Sequence, residues 1–321
     1  MKMNNRIAIV VAYFGKFPNY FPLWLKSCEY NRTIDFLVFT DQKNENLPSN
    51  VKFIPMDLSE MRDRACHVLG FKAALSRPYK CCDYKPLYGL MFKDYLTSYD
   101  YWGHCDVDLI FGDLQYFFDK YNLYAYDKFG ALGHLSLFRN CEKVNNAYEL
   151  TSNPGYREVF ATEQNCIFDE LRGISKTMIE HGFRVFGKRI FVDIATTYKR
   201  YRIIEVYPLD EKAINYPVQA FVWENGKVYH IFEEDNRIQK REYIYVHFQK
   251  RPNYAITDYL VKSSGFYITN TGFHVLDKEI TRNTILKRNP YKGKLFEFFE
   301  YNYNIWSRKI KIQFKRRFPK K

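Results

Sequence analysis

The sequence has no apolar run near the about 20 residues that a membrane-crossing helix needs. The run Ile7–Phe14, behind Lys2 and Arg6, is too short for that role. It is followed by Gly15-Lys16-Phe17-Pro18, a poor cleavage site, so it reads as a buried first strand and not as a secretion signal. A G-x-x-x-x-G-K-S/T phosphate loop, a G-x-G-x-x-G turn after the first strand and a G-x-S-x-G nucleophile elbow are all missing, which argues against the common nucleotide-hydrolysing, dinucleotide-binding and serine-hydrolase designs. Cys81-Cys82 has no second cysteine pair at zinc spacing. Seven scattered cysteines, an odd number, suit reduced thiols in the cytoplasm better than a disulfide framework. Zinc-finger spacing, an RNP-like segment and a helix-turn-helix pattern are also lacking, so nucleic acid is not an expected partner.

The chain has 321 residues, 46% of them apolar and 26% charged, enough to bury a core. Aromatics reach 19%, mostly Tyr and Phe, which points to amphipathic surfaces as well as core. The net charge of +13 is concentrated at one end. Residues 307–321 carry Arg308, Lys309, Lys311, Lys315, Arg316, Arg317, Lys320 and Lys321 with no acid, and without those eight cations the charge falls to +5. Leu295, Phe299, Tyr303, Trp306, Ile310 and Phe314 recur at three- and four-residue steps, one side of a helix. An aromatic and aliphatic stripe beside cations is the pattern of a helix lying in an anionic membrane interface. The alternative is a helix packed on the body with a solvated basic end.

Alternating strand-like and helical segments in the first half predict an α/β fold built on βαβ units. Strands are expected at Ile7–Tyr13, Phe36–Thr40, Val51–Met56, Tyr99–Cys105 and Phe129–Phe138. Helical patterns cover Glu60–Leu75, the segment opened by Pro86, Cys141–Leu150 and Glu163–Leu171. Asn225-Gly226 between Gln219–Trp223 and Val228–Phe232 is a two-residue hairpin signal. Arg241–Phe248 reads as a further strand and Ser263–Gly272 as loop. The organisation expected is a domain over residues 1–290 and a basic amphipathic tail over 291–321.

The stretch richest in chemistry is Tyr101-Trp102-Gly103-His104-Cys105-Asp106-Val107-Asp108-Leu109-Ile110-Phe111-Gly112-Asp113. A strand ends in two carboxylates one residue apart, where ligands of open α/β sheets bind. Hard oxygen donors suit Mg²⁺ or Mn²⁺, ions commonly shared with substrate phosphates. Two exposed turn acids are the plainer alternative.

This segment resembles the D-x-D motif of GT-A type, metal-dependent, nucleotide-sugar glycosyltransferases. Together with Cys82-Asp83-Tyr84-Lys85-Pro86 and Trp102-Gly103, it is similar to a poorly characterised group of bacterial surface (capsular) polysaccharide glycosyltransferases, from Ile7 to about Arg251. The resemblance implies a GT-A, Rossmann-like mixed sheet flanked by helices. It implies transfer of a sugar from a nucleoside-diphosphate donor, a UDP-sugar first, to a lipid-linked or growing glycan acceptor, with inversion. It places Asp106, Asp108 and the late His247 on Mn²⁺ or Mg²⁺, with Lys250 on the diphosphate. Ala12, Tyr13 and Gly15 would border the base and ribose, with Asp41 contacting the nucleoside. Asp83, Lys85, Asp106 and His134 would also lie at the donor, although turn chemistry, helix capping and a core histidine explain several of these residues equally well. Asp169 is the expected base and Glu170 the residue holding the acceptor, with a solvated acidic helix face as the alternative. The tail would hold the enzyme peripherally on the cytoplasmic face of the membrane. Two rival readings stand beside this one: a phosphohydrolase with Asp106 as nucleophile, disfavoured because the motif comes late in the sheet, and a non-catalytic protein binding membranes or polyanions.

Overall fold

A computed structural model describes residues 6–205, 212–249 and 254–317. The chain divides into two compact units, Met1–Arg189 and Ile190–Lys321.

The first unit is built on a seven-stranded mixed sheet. Its strands are β1 (Ile7–Ala12), β2 (Ile34–Thr40), β3 (Val51–Pro55), β4 (Tyr101–Cys105), β6 (Lys128–Phe129), β7 (Leu135–Arg139) and β8 (Val185–Phe186), in the spatial order β3-β2-β1-β4-β7-β6-β8; β5 is the short Leu109–Phe111. β3, β2, β1 and β4 run parallel, and β7 returns antiparallel on β4, pairing Cys105 with Leu135 and Tyr101 with Arg139. Ile7, Ala8, Ile9, Val10 and Val11 are all buried, as a strand covered on both faces requires. The helices are the ones that cover it. Phe21–Glu29 buries Leu23, Trp24 and Leu25. Leu58–Leu69 starts in a capping box, with the Asp57 side chain accepting from the Glu60 amide and the Glu60 carboxylate accepting from that of Asp57, and stops at Gly70.

Several expected elements come out shorter or different. The helix opened by Pro86 is a chain of single turns, Cys81–Tyr84, Lys85–Leu87, Tyr88–Met91 and Lys93–Leu96. The expected helix over Glu163–Leu171 is absent: residues 162–170 form an irregular loop, and helix begins only at Leu171. Phe129–Phe138 is two strands separated by a turn.

The second unit carries a five-stranded antiparallel sheet in the order β12-β11-β10-β14-β15, made of β10 (Gln219–Glu224), β11 (Lys227–Glu234), β12 (Arg237–Tyr243), β14 (Gly265–Thr269) and β15 (Gly272–Val275). Asn225-Gly226 closes the β10–β11 hairpin as expected, with Glu224 opposite Lys227. The segment expected to be loop, Ser263–Gly272, contains β14, whose Phe266, Tyr267 and Ile268 are buried in register with β10; its flanking Ser-Ser-Gly had masked a five-residue strand. Arg241–Phe248 is split between β12 and β13 (Tyr245–His247), the latter parallel to β9 (Val192–Asp193). The chain ends in a helix over Lys294–Arg317. Its Glu297, Tyr301, Asn304 and Arg308 engage the unit through Arg200 and Arg202, stacking on Tyr198, the Thr197 carbonyl and Thr196 respectively. These positions are four, three and four residues apart, one helix face. Leu295, Phe299, Tyr303, Trp306 and Phe314 are each more than 60% exposed, so the aromatic stripe lies on water. No helix among the described residues is long and apolar enough to cross a membrane.

The crossing of β4 and β7 leaves no room at Gly103, where a Cβ would sit 2.3 Å from Leu137 Cδ2 and 2.5 Å from the Ser136 carbonyl oxygen. Gly103→Ala is expected to lower stability by about 1–3 kcal/mol through overpacking, read as a lower urea midpoint with unchanged slope.

Candidate functional site

At the carboxyl ends of the parallel strands, β1 and β2 are tied together by a carboxylate. Asp41, just past β2, accepts the Gly15 N–H at 2.9 Å and Gln42 Nε2 at 2.9 Å, and these bonds hold its carboxyl below the usual range. Tyr13 stacks on Phe17 at 4.7 Å between ring centres. Burial, and then the charge of Asp108, raise the Tyr13 hydroxyl's pKa, and burial first, with Asp108, Tyr13 and Asp106, raises that of Tyr20. The two tyrosines therefore feel the D-x-D carboxylates across the ends of β1 and β4. Ala12, the last residue of β1, is half-buried beside this corner.

β4 ends at Cys105, and the backbone N–H of Asp106 donates to the His134 carbonyl at 2.9 Å. Asp108 is buried and Asp106 half-buried, and a carboxylate oxygen of each lies within 4.8 Å of the other. That spacing of hard oxygen donors can serve one divalent cation.

Lys85 organises the acids. Its ammonium is buried and donates to Asp106 Oδ1 at 2.9 Å, Asp169 Oδ2 at 2.8 Å and the Gly133 carbonyl at 2.8 Å. Burial alone would lower its pKa, but Asp106 and Asp169 reverse that and hold it well above the ordinary lysine value. Glu170, next to Asp169, is different: burial and the neighbouring Asp169 raise its carboxyl, and a hydrogen bond from the Gly133 N–H offsets part of the rise. Gly133 has to be glycine here, because a Cβ would lie 2.3 Å from Asp169 Oδ2 and 3.0 Å from Glu170 Oε1.

The loop bearing these acids is irregular, so something other than helix must fix it. Asp83 does so. It is buried in an ion pair with the equally buried Lys80 at 2.8 Å, and it accepts the backbone N–H groups of Cys166 and Phe168, each at 2.9 Å. Lys80 also donates to the carbonyls of Val159 and Gln164. The Asp83 carboxylate is thus engaged in holding the loop at Asp169. Other residues of the resembling motifs also have architectural partners. Tyr84 donates to the Ala74 or Phe160 carbonyl, each 3.1 Å away, Trp102 Nε1 to Asn145 at 2.7 Å, and Asp113 caps the helix Leu114–Lys120 through the Tyr116 amide.

Two buried cations escaped the sequence reading, Lys80 and Lys128. The ammonium of Lys128 donates to Ser136 Oγ at 2.7 Å and to the Gly130 carbonyl, and burial lowers its pKa to about 7 despite Glu170 and Asp169. A lysine on the two-residue strand β6, between β7 and β8, gives no sequence signal of burial. His104, buried on β4, is driven well below the ordinary histidine value by burial and then by Lys85 and Lys128, so it is neutral.

In the second unit, His247 ends β13 with Nδ1 3.0 Å from an Asp193 carboxylate oxygen, which also accepts from Gln249 at 2.7 Å. A carboxylate beside one imidazole nitrogen is the arrangement that orients metal-ligating histidines. Lys250 lies outside the described residues.

Two outcomes are expected. Asp83→Asn leaves Lys80 buried without its counter-charge and weakens the hold on the Cys166 and Phe168 amides. It should lower stability by about 3–5 kcal/mol, with proteolytic cleavage moving into 162–170. The second concerns Lys128, whose pKa is about 7 when folded and near the ordinary lysine value when unfolded. The unfolded chain then binds the extra proton between those limits. Stability therefore rises with pH across that window, by up to about 1.4 kcal/mol per unit, and the burial penalty is fully present below pH about 7. Lys128→Met should flatten the urea midpoint against pH between about 7 and 10.

Residues 9–277 match a family described only as "Family of unknown function (DUF6625)". No curated protein matches the chain. Among solved structures, the chain is similar to the galactosyltransferase LgtC in complex with donor and acceptor sugar analogs, at 14% identity and a TM-score of 0.35 over 60% of this chain and 77% of that one. It is likewise similar to an active-site mutant of LgtC, at the same identity and TM-score. At that TM-score the likeness carries no argument about activity.

Proposed function

We propose that this chain, which belongs to the DUF6625 family of unknown function, is a metal-dependent glycosyltransferase of the GT-A type, transferring a sugar from a nucleoside-diphosphate donor, a UDP-sugar first, to a glycan or lipid-linked acceptor. The observation that carries the reading is the Lys85 ammonium shared between Asp106 of the D-x-D segment and Asp169 of the acidic pair. One buried cation fixes the metal-type acids and the acid pair at a single place beside the ends of β1 and β4.

The donor set fits a hard cation, with Asp106 and Asp108 as ligands and His247, backed by Asp193, as a third on the family resemblance. When bound, Mn²⁺ or Mg²⁺ would offset the charge of the departing nucleoside diphosphate. Tyr13 and the Asp41–Gly15 clasp would receive the base and ribose, and Lys250 the diphosphate. For the acid pair, the geometry favours exchanging the expected roles. Asp169 is neutralised by Lys85, whereas burial makes Glu170 the better proton acceptor at neutral pH. Glu170 would take the acceptor hydroxyl's proton as that oxygen bonds to the anomeric carbon and the bond to the diphosphate breaks. A single base on the acceptor side inverts configuration. The exposed aromatic stripe and basic end of the helix Lys294–Arg317 would rest on an anionic cytoplasmic leaflet, near a lipid-linked acceptor for surface polysaccharide.

The test is a screen of nucleoside-diphosphate sugars with Mn²⁺, with Mg²⁺ and with chelator, the product anomer being read by NMR. Glu170→Gln is expected to lower kcat by about 10²–10⁴-fold with donor affinity retained. Asp108→Asn should abolish metal-dependent turnover. Full activity of Asp108→Asn on every productive donor would refute the metal assignment.

A further inference from the structure

The second unit holds a cavity of about 300 Å³ that the transfer chemistry does not use, lined by Arg200, Arg202, Lys294, Tyr198, Tyr216 and Tyr291, with Glu297 among them. It lies at the amino-terminal end of the 24-residue helix Lys294–Arg317, where the helix dipole adds positive potential. Arg200 is almost wholly buried, an unusual place for a guanidinium. It donates to the carbonyls of Tyr216 and Pro217 and approaches Glu297 at 3.2 Å. Arg202 shares the same Glu297 and touches Glu205, and the two guanidiniums lie over the rings of Tyr291 and Tyr198 at 4.9 and 4.5 Å. Three cations therefore line the cavity against two carboxylates, Glu297 in its wall and Glu205 on Arg202, which leaves a net positive charge. Burial lowers Arg200 to about 10; Glu297 opposes the fall and Arg202 adds to it.

Such a chamber, with two guanidiniums, the exposed Lys294 ammonium and aromatic walls, suits a phosphate oxyanion attached to an organic body. The membrane is the source its position favours. Phe298 lines the cavity, and Leu295, Phe299 and Tyr303 continue the exposed stripe from the same end of the helix. A lipid whose tails meet the stripe therefore has its headgroup at the cavity. We propose that this cavity is a binding site for the phosphate headgroup of an anionic lipid, so that the helix docks on the membrane through one specific lipid as well as through diffuse charge. The inference deepens the membrane-facing part of the function above, but it requires neither donor nor metal, so it can fail while the transferase reading stands.

The experiment uses the full chain and titrates monomeric dihexanoyl phosphatidic acid by calorimetry, with glycerol 3-phosphate and inorganic phosphate as parallel arms. One-to-one binding of the lipid is expected, tighter than that of either soluble phosphate. Arg202→Gln combined with Lys294→Gln should weaken it by at least about tenfold, the loss of one charge-assisted hydrogen bond. Lys309→Gln combined with Lys311→Gln removes the same charge from the distal part of the helix and should leave it unchanged. Because Arg202 also braces Glu297, Lys294→Gln alone, exposed and free of that role, gives a second reading and should weaken the lipid without altering the melting midpoint. Equal weakening by the two charge-matched pairs would overturn the site in favour of diffuse attraction. Inorganic phosphate binding as tightly as the lipid would overturn the lipid as its source, and the absence of binding would overturn both.

Discussion

The candidate site depends on an ammonium that is out of water. Lys85 is stable as a cation in the interior because two carboxylates and a carbonyl surround it, and the same charge draws those two carboxylates to one place. Without it, Asp106, Asp169 and Glu170 would face one another with no cation among them. With it, the acids divide their states: Asp169 is compensated directly, while Glu170, which Lys85 reaches only at longer range, keeps a raised affinity for protons. A difference of that kind between adjacent carboxyls is how one protein environment produces two functions from similar groups.

Around that cation the protein spends several residues on position alone. Asp83 and Lys80 stand in for the helix that the loop 162–170 lacks, capturing its amides and carbonyls individually. Gly103 lets β4 and β7 pair at a separation that no side chain would permit, and Gly133 leaves room for the carboxylates of Asp169 and Glu170. Of Asp83-Tyr84-Lys85 and Trp102-Gly103, only Lys85 bonds to the acid cluster, while Asp83, Tyr84 and Trp102 bond to backbone and side-chain groups around it.

The sequence made some of this legible and hid the rest for physical reasons. β1, β2 and β4 could be read because a strand buried on both faces is uniformly apolar, and the β10–β11 hairpin because Asn-Gly fits only a tight turn. The place of Asp106 and Asp108 followed from their position after a strand. The loop at Asp169 was mistaken for helix because its fixings are 83 and 85 residues away in the chain, beyond any periodicity. β14 was missed because its signal is five residues long, and Lys80 and Lys128 because burial of a lysine is decided by partners that no local pattern reveals. The tail could be read from its spacing, and the structure adds which side of the helix is already occupied.

The bond between Lys85 and Asp169 spans 84 residues, and that between Lys80 and Gln164 the same distance. Closing loops of that size is slow compared with forming local turns, so these contacts come late in the growth of native structure. Lys85 precedes Asp106 in the chain and is already made when the D-x-D segment emerges, whereas Asp169, the second acid it pairs with, follows some sixty residues later. The acid cluster is therefore assembled only when the first unit is essentially complete.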